Sequence, residues 1–261
     1  SIVISTSVTS IGDSAFSHCS KLKIITIPDS VTSISDSAFS KCSNLQSIVI
    51  PTKVESIGNN AFHCCSNLKS ITIPTSVTTI GYSAFSYCSK LKSITIPASV
   101  TSIGEEVFSG CNHLTSINVD CKNLHYSSID GILFTKNFET ILRFPPRHPL
   151  SSYSIPTGVT LIGNSAFHCC SKLHSITIPE GVTSIGEFAF YYCSSLRSIV
   201  LPTTVTSIGD SAFIYCTKIE SITIPPSVTF IESAFYDCKN LHSIVIPKRF
   251  KIQDVLHYPP K

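Results

Sequence analysis

The chain has 261 residues, a formal net charge of +3, only 13% Asp, Glu, Lys and Arg, and no Met or Trp. So small a positive charge, with no Lys/Arg cluster, argues against nucleic acid as a partner. No apolar run approaches the roughly 18 residues of a membrane span, and no signal peptide is visible.

The first segment, Ile2-Val3-Ile4, aligns with Ile71-Thr72-Ile73, so the chain starts in mid-repeat and an upstream coil is expected. The repeat itself is first complete in VTSIGDSAFSHCSKLKIITIPDS, Val8 to Ser30. Its opening valine recurs at Val31, Val54, Val77 and Val100, then at Val159, Val182, Val205 and Val228, in steps of 23 residues (31 − 8) with one step of 59 (159 − 100). A fixed period of this size is the signature of a solenoid. Ordering each residue costs about 1 to 2 kcal/mol, and one copy has too few large apolar side chains to offset that alone. The copies must therefore stack, so that each apolar row becomes a continuous core.

Within a copy, Leu22-Lys23-Ile24-Ile25-Thr26-Ile27-Pro28 ends in alternation and a proline, which predicts a short strand in a parallel sheet. Val8-x-x-Ile11 predicts a brief extended segment on the opposite side. Gly12-Asp13-Ser14-Ala15-Phe16 suits a tight turn or a single helical turn. Phe16 and its counterparts Phe39, Phe62, Phe85, Phe108, Phe167, Phe190, Phe213 and Phe235 are expected to stack as an inward aromatic spine.

Outward positions on the strands form columns about 4.8 Å apart from coil to coil. The first column reads Lys23, Gln46, Lys69, Lys92, Thr115, His174, Arg197, Glu220, His242, and the second is nearly all serine. The third includes Thr72, Thr95 and Thr177. Lys23, Gln46, Lys69, Lys92, His174, Arg197, His242 and these three threonines are the candidate binding residues. The competing view is that they are merely soluble sheet surface.

The 59-residue step holds an irregular segment, 120–152. Gly131 to Phe134 and Thr140 to Arg143 flank Lys136-Asn137-Phe138-Glu139, which predicts a β-hairpin projecting from the coils. Phe138 at its tip, with Lys136 and Arg143 nearby, is the second candidate site. Pro145, Pro146 and Pro149 then make an irregular return, so regular coils are expected at 1–119 and 153–247. After Pro247 the repeat disappears, and 248–261 reads as a cap over the last coil or a tail.

Nine of the 12 cysteines (Cys19, Cys42, Cys65, Cys88, Cys111, Cys170, Cys193, Cys216 and Cys238) hold one repeat position. That ladder is either a set of disulfide staples or a row of small buried thiols, and recurrence in every unit favours the thiols. His63-Cys64-Cys65 and His168-Cys169-Cys170 do not amount to a metal site, because tetrahedral zinc needs four convergent ligands and adjacent residues on an extended chain point apart. No nucleophile elbow, Walker loop, dinucleotide fingerprint or His-Glu-x-x-His occurs. Neither a catalytic residue nor a cofactor or metal is expected.

Leu-x-x-Ile-x-Ile-Pro followed by Val-Thr-Ser-Ile-Gly-x-x-Ala-Phe-x-x-Cys resembles the BspA-like (Treponema-type) class of leucine-rich repeats over nearly the whole chain. The segment Tyr126 to Phe134, of the type Tyr-x-Ser-x-Asp-Gly-x-Leu-Phe, with Phe144-Pro145 after it, is similar to an insert of that family. The resemblance implies a leucine-rich-repeat solenoid. Its expected form is a right-handed β/α-type superhelix with a parallel sheet on the concave face, short strands and turns or 3-10 segments on the convex face, and one hairpin-containing insert. It also implies a cell-surface or secreted protein of a host-associated microbe that binds host-cell proteins, extracellular-matrix proteins or another microbe's surface. An intracellular scaffold or inhibitor using the same face is the alternative, with a cytoplasmic location. The unpaired cysteines and the absence of an Asn-x-Ser/Thr sequon lean toward it.

Overall fold

In the computed structural model, which describes residues 2–231, 233–251 and 255, the chain is built of very short strands joined by turns. It forms two compact units, Ser1–Lys136 and Asn137–Lys261.

In the first unit each coil gives one strand to each of two parallel arrays. Ile2–Val3, Ile24–Thr26, Ser47–Val49 and Ser70–Thr72 form one sheet, and Ser93–Ile96 pairs with Ser116–Val119 in the same manner. Ser10–Ile11, Ser33–Ile34, Ser56–Ile57, Thr79–Ile80 and Ser102–Ile103 form the other sheet. Ser47 lies opposite Ser70 and Ile48 opposite Ile71, one period apart (70 − 47 = 23). Since side chains alternate faces along a strand, Ser-Ile-Thr buries its isoleucine and leaves Ser70 and Thr72 exposed. Between the sheets run rows of like residues, such as Val54, Val77 and Val100, all fully buried.

The aromatic row stacks as the sequence predicts. Ring centroids are 5.2 Å apart for Phe16 and Phe39, 5.4 Å for Phe39 and Phe62, 5.5 Å for Phe62 and Phe85, and 6.1 Å for Phe85 and Phe108, with planes within 7°. In the second unit the spacing from Phe167 through Phe190 and Phe213 to Phe235 is 4.9 to 5.1 Å.

Of the two forms expected after Gly12, a tight turn or a single helical turn, the turn is the one that forms. Gly12 to Cys19 and its counterparts are runs of turns, and no described coil contains a helix, so the β/α-type superhelix is corrected to a β-solenoid. The backbone explains why. Ser14 (φ 56°) and His18 (φ 60°) are left-handed, as are Ser37 and Lys41, Asn60 and Cys64, and Ser83 and Tyr87. A right-handed helix cannot pass through left-handed residues spaced four apart. The amides that a helix would use internally bond to the next coil instead: Phe39 N donates to Ala61 O at 2.8 Å and Lys41 N to His63 O at 2.6 Å.

In the insert, Tyr126–Ile129 and Ile132–Thr135 pair antiparallel about Asp130-Gly131, a hairpin in addition to the two strands expected on either side of 136–139, which form as Ile132–Thr135 and Thr140–Arg143. This hairpin does not project: Ile132, Leu133 and Phe134 are buried, and Ile117 N donates to Gly131 O at 2.8 Å. Gly131 is required at the turn, because its φ is +79° and a Cβ there would meet the Ser116 Cβ at 2.6 Å. Tyr126 Oη accepts from Ile103 N at 2.8 Å, and Ser128 Oγ accepts from Val119 N at 3.0 Å.

Asn123 anchors the base of the hairpin. Fully buried, it donates through Nδ2 to Pro97 O (2.8 Å) and Val100 O (2.9 Å) and accepts through Oδ1 from His125 N and Tyr126 N (both 2.8 Å). Asn123→Ala strands two carbonyls and two amides away from water, and each orphaned buried group costs about 1 to 3 kcal/mol. With partial relaxation, the expected loss is about 2 to 3 kcal/mol. Urea denaturation of the variant checks it, and a loss under about 0.5 kcal/mol, the level of an ordinary surface substitution, would show that the amide anchors nothing.

In the second unit, Thr140–Arg143 pairs parallel with Leu161–Ile162, followed by Ser184–Ile185, Ser207–Ile208 and Phe230–Ile231. Ser152–Ser154, Ser175–Thr177 and Ser198–Val200 form a second parallel sheet, and Ser221–Thr223 pairs with Ser243–Val245. The regular frame is re-entered at Phe144, nine residues before the expected boundary (153 − 144). Phe144 stacks 5.3 Å from Phe167, 23 residues on (167 − 144), and its amide donates to Ala166 O at 2.7 Å. Tyr153 then lies opposite Ile176 at the same offset. The prolines therefore trace half a coil in register. Most of the expected cap or tail, 248–261, lies outside the described residues; within its described part Arg249 Nη2 donates to Pro226 O at 2.9 Å.

Candidate binding surface

The strand face of the first unit is set coil by coil. Gln46 N donates to Lys23 O (3.1 Å), Lys69 N to Gln46 O (3.2 Å), Lys92 N to Lys69 O (3.4 Å) and Thr115 N to Lys92 O (2.8 Å). These bonds fix the first column in line, and Lys23, Gln46, Lys69 and Lys92 are all exposed, as are Thr72 and Thr95. In the second unit His174, Arg197, His242 and Thr177 are exposed at the corresponding positions, with Glu220 between Arg197 and His242.

Charge is segregated in the first unit. Between the ladder cysteine and the end of each strand (19–28, 42–51, 65–74, 88–97, 111–119) the charged residues are Lys21, Lys23, Lys69, Lys90 and Lys92, with no Asp or Glu. Asp29 and Asp120 follow directly after two of these spans, whereas Asp13, Asp36, Glu105 and Glu106 belong to the turns on the other side of the coil, and Glu55 to the strand side opposite. Among the described residues no ion pair neutralises Lys23, Lys69 or Lys92. Aligned, unneutralised cations sum to a local positive potential that attracts an acidic partner.

A further column, not singled out in the sequence, borders this face. Asn44 Nδ2 donates to Ser20 O (2.7 Å), Asn67 Nδ2 to Ser43 O (2.7 Å) and Lys90 Nζ to Asn67 Oδ1 (2.7 Å). The signal was the recurrence of Asn or Lys two places after the ladder cysteine. These bonds hold Lys90 against the edge of the lysine column.

The three insert residues are placed differently from one another. Arg143 is buried, and its guanidinium donates to Ser165 O and to His168 O (3.0 Å), so it is removed from the list of surface contacts. Phe138 is half-buried at φ +59° instead of standing clear at a tip. Lys136 is exposed, with its amide donating to His125 O at 2.8 Å.

All twelve cysteines are free thiols. Each described ladder thiol from the second coil on points back along the stack: Cys65 Sγ donates to Phe39 O (3.2 Å), Cys88 to Phe62 O (3.2 Å), Cys111 to Phe85 O (3.1 Å) and Cys216 to Phe190 O (3.1 Å). Burial pushes the Cys42 thiol up to about 11 and Cys238 up to about 12. They stay protonated at neutral pH, and a protonated thiol is neither nucleophile nor metal ligand. Among the described residues no group of three or more His, Cys, Asp or Glu is arranged to hold a metal ion, and no helix is long and apolar enough to cross a membrane.

The repeat geometry and its residues match a known family, the BspA type leucine rich repeat region, over residues 1–115 and 144–257 in 6 copies. The chain belongs to the BspA-type leucine-rich repeat family. The match resumes at Phe144, where the coil frame does. A leucine rich cell surface protein from Faecalibacterium prausnitzii is similar at 30% identity and TM-score 0.71, with 99% of this chain and 82% of that one covered. The pneumococcal vaccine antigen PcpA shares the fold at 24% identity and TM-score 0.81, covering 97% of this chain and 78% of that one. A leucine-rich repeat protein from Eubacterium ventriosum does so at 24% identity and TM-score 0.75, covering 92% and 78%. No curated protein matches the chain significantly.

Proposed function

We propose that this BspA-type chain is a non-enzymatic protein-binding module that recognises an acidic protein surface through the strand face of its first unit. The observation that carries the reading is the column Lys23, Lys69, Lys92 with Lys21 and Lys90 beside it and no carboxylate among them. Extended repeat surfaces of this kind serve as recognition elements, and charge complementarity sets partner choice and association rate. Similarity to a bacterial cell surface protein supports a place on the cell surface or in secretion, with host-cell or extracellular-matrix proteins, or another microbe's surface, as partners. The role is then that of an adhesin.

One observation favours a second reading, an intracellular scaffold using the same face: twelve free thiols suit a reducing compartment. Biotinylation of intact cells with a membrane-impermeant reagent separates the two, since only a surface protein is labelled.

The face itself is tested by the pair Lys69→Glu and Lys92→Glu in the full chain, assayed against matrix proteins with a poly-glutamate peptide as the acidic reference. The expected result is a fall in affinity of about tenfold, mostly in the association rate and strongest at low salt, with an unchanged melting temperature. Unchanged affinity would remove the strand face from the binding surface.

A further inference from the structure

The turn side of the second unit carries a surface of another character. Tyr191 and Tyr192 in one coil, Tyr215 in the next and Tyr236 in the third form a continuous aromatic cluster. Ring centroids are 5.5 Å apart for Tyr191 and Tyr192, 4.8 Å for Tyr192 and Tyr215, 5.6 Å for Tyr191 and Tyr215, and 6.1 Å for Tyr215 and Tyr236. Tyr192 is 46% exposed and Tyr236 37%, and Tyr191 and Tyr215 beside them are half-buried, so each ring keeps part of its surface in solvent. The rings are not coplanar. Interplanar angles of 46° to 87° make a row of walls and slots in place of a flat platform.

Two quantities point to what fits such a row. Tyr191 and Tyr236 stand two coils apart, which at about 4.8 Å per coil is about 9.6 Å along the stack. One turn of a polyproline II helix is three residues at about 3.1 Å each, about 9.3 Å. A proline-rich peptide laid along the stack thus presents the same face to Tyr191 and Tyr236, one helical turn apart. Its carbonyls are all free of internal hydrogen bonds, and tyrosine hydroxyls can donate to them while the rings pack on prolines.

The rim sets the charge of the partner. Phe188, 5.8 Å from Tyr191, follows Glu187, and its amide donates to the carbonyl of Asp210 in the next coil at 3.1 Å. Asp237 is paired with Lys239 at 3.4 Å, whereas among the described residues no cation pairs with Glu187 or Asp210. We infer that the Tyr191–Tyr236 row is a docking site for a proline-rich peptide in polyproline II conformation that carries a basic residue on the flank formed by Glu187 and Asp210. This surface belongs to the second unit and the lysine column to the first, and it selects a partner of opposite charge.

The test uses the full chain and a fluorescent decaproline peptide bearing one terminal arginine, with fluorescence anisotropy as readout. Saturable binding is expected, weakened about tenfold or more in Tyr192→Ala with Tyr215→Ala, as for aromatic hot spots. Both positions are outside the core, so circular dichroism of the variant should match the parent. Glu187→Gln with Asp210→Asn should weaken the arginine-bearing peptide and leave plain decaproline unaffected. No saturable binding, binding indifferent to the tyrosine substitutions, or a neutral β-glucan hexasaccharide competing for the same tyrosines would each overturn the assignment.

Discussion

Phe85→Ala is expected to destabilise the protein by about 3 to 5 kcal/mol, the range for truncating a fully buried phenylalanine. Phe85 has no solvent exposure and lies between the rings of Phe62 and Phe108 at 5.5 and 6.1 Å. Its removal opens a gap facing two coils at once. Neither coil can close the gap easily, because their separation is set by backbone bonds such as Phe62 N to Ala84 O at 2.8 Å and Phe85 N to Val107 O at 3.1 Å. The carbonyl of Phe85 also accepts the Cys111 thiol. In a stack where each coil is stabilised by its neighbours, a weakened coil loosens both sides, so hydrogen exchange should rise across the coils of Phe62 and Phe108 as well. Phe16→Ala is the control: Phe16 is half-buried with a stacked neighbour on one side, and a loss of about 1 to 2 kcal/mol is expected there, as for partial loss of an aromatic side chain's burial. Guanidinium denaturation measures both. A loss below 1 kcal/mol for Phe85→Ala would mean that the spine does not hold the coils together.

The spine, the two strand rows and the outward columns were legible because they repeat: nine copies of one pattern average out the ambiguity of any single short strand. What a repeat cannot display is a conformation foreign to its residue types. Ser14, His18, Lys41 and Tyr87 all adopt left-handed backbone without being glycine, so their identity does not decide between the two forms expected there, a tight turn and a helical turn. Gly110 alone holds glycine at the second of these positions, with φ +68°. The insert was misread for a different reason. Arg143 lies near the loop in sequence, but alternation along Thr140–Arg143 puts it on the same side as the buried Ile141. Pro145 and Pro146 hid the return to the coil frame, because they replace the residues by which other coils are recognised while leaving their number unchanged.

Burial of Arg143 also makes the second unit acid-sensitive in a way the sequence does not suggest. His168, buried beside it and stacked 5.0 Å from Tyr191, has its pKa lowered to about 3 by loss of hydration and by the guanidinium. In the unfolded chain the same imidazole titrates near 6.5. The unfolded state therefore binds the extra proton first. Stability from this group is fully present above pH 6.5 and is lost progressively as the pH falls toward 3. At about 1.4 kcal/mol per pH unit the loss is on the order of 3 kcal/mol by pH 4. His63, lowered by burial and by Lys41, acts with the same sign in the first unit. His168→Phe keeps a ring to stack on Tyr191 and removes the titration. Its melting temperature should fall less steeply between pH 6.5 and 4 than that of the parent, a window in which the buried thiols, with pKa values raised by burial, stay protonated in both proteins. Equal slopes for the two proteins would show that His168 is already protonated in the fold, and that the guanidinium of Arg143 does not exclude a second charge beside it.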